Sequence, residues 1–209
     1  AEREIAATRR MAALGPKRPR DLTYRERAFA DSGCVLLDDG SAPVTDAVPE
    51  GVDALTALLA RCLATLPLLA AALAGRPAAV AGAEPEDAPL ALAVAHALGA
   101  SAVGPASLGP GQRPLIVTAY NHGGASWRRQ LDRLDRWRAG YAFALIQEAA
   151  VAEVGDVAGT LWGPGDSATA RSAATAALGG PTHTPLLDAE VVALARNPLA
   201  RWRSRLVTA

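Results

Sequence analysis

The sequence predicts a three-layer α/β fold, in which helices cover both faces of a mainly parallel sheet. Short apolar runs alternate with helical segments along 209 residues, a length that suits one domain. The runs at 34–37 and 115–120 are apolar on both faces, which is typical of buried parallel strands. Half of the residues are hydrophobic, which is sufficient for a core at this length.

Residues 1–28 are predicted to form a basic, partly helical arm, and residues 29–209 a single α/β domain. The arm has eight basic and four acidic residues, whereas 29–100 has two basic and nine acidic residues. Because the formal net charge is 0, composition gives no reason to expect a nucleic-acid or membrane partner. Thr23 and Glu26 have the spacing of a capping box and predict a helix start.

In the first half, residues 34–37 read as a strand that ends in a turn. Residues 52–75 form a long apolar helix, bent or broken near Pro67, and its Asp53 and Arg61 favour a buried helix over a membrane span. The elements that follow are predicted as a strand at 77–82, a helix at 88–98 that ends at Gly99, and a short strand at 102–103.

In the second half, residues 114–120 predict a buried strand. Ser126 is expected to cap a helix at 127–138, whose apolar residues recur at helical spacing. Residues 141–146 predict another strand, and 151–162 is interpreted as either a hairpin or irregular chain. Further helices are expected from Asp166 and from Asp188 onward.

Polar residues gather where the predicted strands end. Open α/β sheets bind ligands beyond the carboxyl ends of their strands, so these positions are the candidate site. The strand ends carry Asp38, Asp39, Glu84, Asn121, His122, Gln147 and Glu148. His122 and Glu148 are the candidate catalytic residues, each able to act as acid or base, since neighbouring acids and a histidine can shift each other's pKa toward neutrality.

The segment from Tyr120 to Ser126 is the most distinctive local feature. Gly123 and Gly124 allow a ligand to approach the backbone, and the N–H groups at a helix start favour an anion. Tyr120, Asn121, Gly123, Gly124, Ser126 and Gln147 are therefore candidate ligand-binding residues. The alternative is a tight turn with an exposed histidine.

A second candidate anion site is the run 163–167, in which Asp166 and Ser167 would bind the ligand or simply cap a helix. Adjacent acids before a glycine, as at Asp38 and Asp39, are usually turn residues, so no metal site is predicted. Nothing in the pattern assigns a cofactor. Two isolated cysteines and the absence of a convincing secretory signal favour the cytoplasm, and the arginine-rich, alanine-rich composition suggests a bacterium.

The order of features from Pro114 onward resembles the β-ketoacyl synthase (thiolase-like) family. The resemblance rests on the strand and glycine turn at 115–124 and on a glycine-bounded elbow and small-residue helix at 163–172. The family's nucleophilic cysteine has no counterpart in that elbow, and its catalytic histidines cannot be placed. The resemblance therefore implies a non-catalytic partner subunit of a biosynthetic complex.

Two functions follow as hypotheses. The first is an enzyme or binding domain for a small, anionic metabolite at the strand ends. The second is a non-catalytic partner or scaffold subunit, which would bind another protein or a second copy of the chain through its alanine-rich helices.

Overall fold

The computed structural model describes residues 8, 10–12, 14–16, 18–37, 52–72, 76–148, 151 and 154–162. Within these ranges the chain forms one six-stranded sheet in which every pairing is parallel. The predicted α/β class is confirmed.

The sheet contains six strands in the spatial order β1-β6-β5-β4-β2-β3. Their bounds are β1 Val35–Leu36, β2 Ala79–Gly82, β3 Ser101–Ala102, β4 Leu115–Asn121, β5 Tyr141–Glu148 and β6 Val157–Trp162. The longest strands, β4 and β5, lie in the middle and pair along most of their length, from Leu115 beside Tyr141 to Asn121 beside Gln147.

Four α-helices have described bounds: α1 Tyr24–Ser32, α2 Val52–Ala72, α3 Ala88–Leu98 and α4 Ala125–Trp137. Single 3-10 turns occupy Pro19–Asp21, Pro85–Asp87, Pro105–Ser107 and Pro110–Gln112. As predicted, α3 ends at Gly99 in the left-handed conformation, and α1 begins with a Thr23–Glu26 capping box.

Helices pack on both faces of the sheet. Leu115 and Val117 of β4 join the cluster that contains the apolar residues of α2 and α3. Ile116, between them in sequence, joins Trp127 and Leu134 of α4 in a second cluster. Since successive residues of a strand point to opposite faces, α4 lies on the other side of the sheet from α2 and α3.

Helix α2 runs continuously through Pro67 and buries Leu59, Cys62, Leu63 and Leu66 in the core. Of the two predicted alternatives, a bend or a break near Pro67, the break is absent. None of the helices in the described part of the chain is both long and apolar enough to cross a membrane.

Three local predictions were wrong. Residues 157–162 form a parallel strand beside β5, and not a hairpin or irregular chain. Gln147 and Glu148 belong to β5, and Asn121 to β4, so these strands extend further than their apolar runs suggested. Helix α4 begins at Ala125 with Gly124 as its N-cap, which places Ser126 in the first turn and not at the cap.

Several predictions lie outside the described residues: the turn at Asp38 and Asp39, the helices after Asp166 and Asp188, and the elbow at 163–172. The division of the chain at residue 28 stays a prediction, although α1 itself continues across that position.

The close packing of α2 on β6 can be tested at Gly159. A Cβ there would lie against the carbonyl oxygen of Leu145 and 3.0 Å from Cys62 Sγ, so we expect Gly159→Ala to lower the free energy of unfolding by about 1–3 kcal/mol. Urea denaturation measures this change. Gly104→Ala is the control, because a Cβ there meets nothing within 4 Å. Equal stability of both variants would contradict the packing of α2 on β6.

Candidate functional site

The chain leaves strands β2 and β4 in opposite directions. These strands are neighbours, but β2 leads through α3 to β3 at the sheet edge, whereas β4 leads through α4 to β5 on the other side. Such a topological switch point opens a crevice between the carboxyl ends of the two strands, and open α/β sheets bind their ligands there. The strand order therefore selects one pair among the strand ends that the sequence identified.

A narrow crevice is present at this switch point. It encloses about 190 Å³ of space that opens to solvent, and its interior has room for roughly one water molecule. The residues that line it come from the ends of β2 and β4 and from the start of α4: Ala83, Glu84, Thr118, Tyr120, Asn121, His122, Gly124 and Trp127.

His122 and Glu84 approach each other across Gly124. If Gly124 carried a Cβ, that atom would lie 3.3 Å from Nε2 and Cε1 of His122 and 3.8 Å from Oε1 of Glu84. His122 is exposed and Glu84 is half-buried, so both can meet a solute. An imidazole and a carboxylate around one small gap can transfer protons to and from the same ligand.

Glu148, the predicted partner of His122, does not line this crevice. Its Oε2 accepts a hydrogen bond of 3.0 Å from the hydroxyl of Tyr120. The Tyr120 ring in turn lies nearly parallel to the His122 ring, with centroids 5.8 Å apart. Tyr120 thus connects the two predicted catalytic residues, and Glu84 is the carboxylate that shares the crevice with His122.

Asn121 and Gln147 are buried at the ends of β4 and β5 and bind each other. Asn121 Nδ2 donates to Gln147 Oε1 over 2.7 Å, and Gln147 Nε2 donates to the backbone oxygen of Glu148 over 2.9 Å. These contacts join the two strand ends. A ligand-binding role for either amide stays a prediction.

The turn after β4 is fixed from both sides. Gly123 has a φ of 76°, a left-handed conformation that favours glycine, and its N–H donates to Asn121 Oδ1 over 2.9 Å. Arg128 Nε donates to the Gly123 carbonyl over 3.0 Å. The N-cap of α4 is Gly124, which has no side chain to cap the helix, and the first turn, which includes the half-buried Ser126, lies beside the crevice.

Asp87 is the residue of this region that sequence reasoning missed. It is 5% exposed and lies at the end of the 3-10 turn that follows β2. Its Oδ1 accepts from the Ala119 N–H at 2.9 Å and the Thr118 hydroxyl at 3.4 Å, and its Oδ2 accepts from the Glu84 N–H at 3.1 Å. Burial raises the pKa of Asp87 above its ordinary value, although the hydrogen bonds act in the opposite direction.

Asp166 and Ser167, the second predicted anion site, lie outside the described residues. Within the described part of the chain, no three His, Cys, Asp or Glu side chains come together as a metal site would require. No protein-family model matches the chain, and no curated protein matches its sequence.

The buried amide pair gives a stability prediction. In Asn121→Ala, the Oε1 of Gln147 loses a donor in the protein interior, so we expect the free energy of unfolding to fall by about 1–3 kcal/mol. Because each single change leaves the other amide short of a partner, Asn121→Ala/Gln147→Ala is expected to cost less than the sum of the two single variants. Urea denaturation of all four proteins measures the coupling, and strictly additive costs would contradict it.

The raised pKa of Asp87 gives a prediction for the pH dependence of stability. The ordinary pKa of an aspartate is 3.8. As the pH falls from neutral toward that value, the folded chain binds a proton at Asp87 before the unfolded chain does. The wild type is therefore expected to gain stability relative to Asp87→Asn over this range. Denaturation of both proteins between pH 7 and pH 4 measures the difference, and a relative loss in the wild type would contradict it.

Proposed function

We propose that the chain is an enzyme or binding domain for a small metabolite that binds at the mouth of the switch-point crevice. The observation that carries the proposal is the meeting of His122 and Glu84 at the diverging ends of β4 and β2. This is the position at which open parallel sheets bind ligands, and the two side chains are able to do acid–base chemistry there.

The polarity of the crevice favours a ligand with two kinds of group. The positive end of the α4 dipole and the nearby Arg128 guanidinium would attract an anionic group. The Glu84 carboxylate would repel that anion but would accept a hydrogen bond from a hydroxyl or amino group. The proposed ligand therefore carries an anionic group near Gly124 and a hydroxyl or amino group near Glu84.

The small interior limits how such a ligand binds. Since the crevice has room for about one water molecule, the body of the ligand would lie across the mouth and only one polar group would enter. If the chain is catalytic, His122 would take a proton from that group or give one to it. Glu84 would accept a hydrogen bond from the same group and hold it against the imidazole.

The partner-subunit hypothesis rests on the strand and glycine turn at 115–124 and on the elbow at 163–172, of which the elbow lies outside the described residues. It remains the alternative outcome of the test. A homo-oligomer also remains a prediction. A reducing, cytoplasmic location fits the proposal, because Cys34 and Cys62 are both buried and form no disulfide with each other.

A thermal-shift screen of phosphorylated and carboxylated metabolites tests the proposed site. We expect a ligand that raises the melting temperature of the wild type by mass action. His122→Ala and Glu84→Gln each remove a polar contact with the ligand, so each is expected to weaken its binding about tenfold or more. Titration of each variant with that ligand measures the loss.

His96→Ala is the matched control, because His96 is exposed but lies on the last turn of α3 and does not line the crevice. It should bind like the wild type. If a ligand binds both crevice variants as tightly as the wild type, its site lies elsewhere on the chain. No ligand, together with a stable complex between the chain and a different protein, would favour the partner-subunit hypothesis.

A further inference from the structure

Strand β4 continues beyond the end of its neighbour β2. The two strands pair from Val80 beside Leu115 to Gly82 beside Val117, and the Ala83 N–H donates to the Val117 carbonyl over 2.8 Å. Beyond that point β2 has ended, whereas β4 continues to Asn121 beside β5. The Ala119 N–H, the next donor on this edge, therefore has no strand to accept its hydrogen bond.

The Asp87 carboxylate takes the place of the missing strand. Its Oδ1 accepts from the Ala119 N–H, and its Oδ2 accepts from the Glu84 N–H on the departing chain. One side chain thus connects the two strand ends that border the crevice. The connection is compact, because a Cβ on Gly82 would lie 2.9 Å from the Cβ of Asp87 and 2.8 Å from the carbonyl oxygen of Glu84.

We propose that Asp87 is the positioning residue of the candidate site: its ionised carboxylate holds the ends of β2 and β4 together and fixes Glu84 opposite His122. Asp87 itself is buried and does not line the crevice, so it would act through Glu84 and not by touching the ligand. The importance of Asp87 for ligand binding rests on the function proposed above, whereas its effect on the geometry does not.

Both oxygens of Asp87 are needed for this role. A protonated carboxyl keeps one free acceptor oxygen and turns the other into a donor, so it cannot serve Ala119 and Glu84 together. Burial raises the pKa of Asp87, and the charge of Glu84 acts in the same direction. The neighbours on β4, Thr118 and Ala119, are uncharged. Protonation of Asp87 is therefore expected to loosen the crevice locally at a higher pH than protonation of an exposed aspartate would, although the loss of the buried charge stabilises the fold as a whole.

Amide hydrogen exchange followed by NMR tests the proposal without any ligand. The side-chain amide in Asp87→Asn has one oxygen, so it can accept from Ala119 or from Glu84 but not from both. We expect the protection of at least one of these two amides to fall about tenfold or more. Amides in the middle of β4 and β5 should keep their protection. Glu86→Gln, which changes an exposed carboxylate on the same 3-10 turn, should leave all of them unchanged.

The His122 ring gives a readout that general destabilisation would not move. Asp87→Asn is expected to shift the ring resonances in the same direction as Glu84→Gln, since both changes take the Glu84 charge away from the imidazole. Glu86→Gln should leave them in place. Unchanged ring resonances in Asp87→Asn, or a loss of protection no larger at Ala119 and Glu84 than in the middle of the sheet, would overturn the proposal.

Acid titration of the wild type keeps the proposal testable if Asp87→Asn does not fold. The amide resonances of Glu84 and Ala119 should then move together, with a midpoint above 3.8, the ordinary aspartate value. Separate midpoints, or no movement, would overturn it. Because no ligand is used, a failed metabolite screen would count against the proposed function and leave the role of Asp87 standing.

Discussion

The separation of β2 from β4 after Gly82 decides where polar side chains can gather in this molecule. Up to that point the two strands satisfy each other's backbone groups, and beyond it β4 continues with one open edge. A buried N–H needs an acceptor, and Asp87 supplies one from the departing chain. The same separation leaves the space that Glu84 and His122 share. The crevice and the hydrogen bonds of Asp87 therefore have one origin, which is the topology of the sheet.

Local patterns in the sequence predicted individual elements better than their arrangement. Helix α3 was bounded correctly, because a run of helix-forming residues ends at Gly99, which takes the left-handed conformation of a C-cap. Strand β4 was recognised from its β-branched, two-sided apolar run. Strand β6 was missed, because Gly159 and Thr160 interrupt its apolar run. Strand order depends on contacts between residues distant in sequence, and no local pattern records them.

The candidate site was predicted in part for the same reason. His122 was identified because it follows a buried strand and precedes two glycines. Glu84 was placed at a strand end, but only the adjacency of β2 and β4 shows that it meets His122, while Glu148 binds Tyr120. Asp87 did leave a local signal: an acid that follows a helix-start residue by three positions, with Pro85 between them, has the spacing that lets a side chain reach back to a backbone N–H.

The backbone of His122 is held in place by its neighbours in the chain. Asn121 is buried and bonded to Gln147, so the backbone before the histidine cannot turn without breaking the amide pair. Gly123 is held by the Asn121 side chain from one side and by Arg128 from the other. The backbone at His122 is thus held on both sides, and the His122 ring itself stacks on Tyr120. Polar groups fixed in this way on the end of a central strand lose little freedom when a ligand arrives, which is the physical basis of a preorganised site.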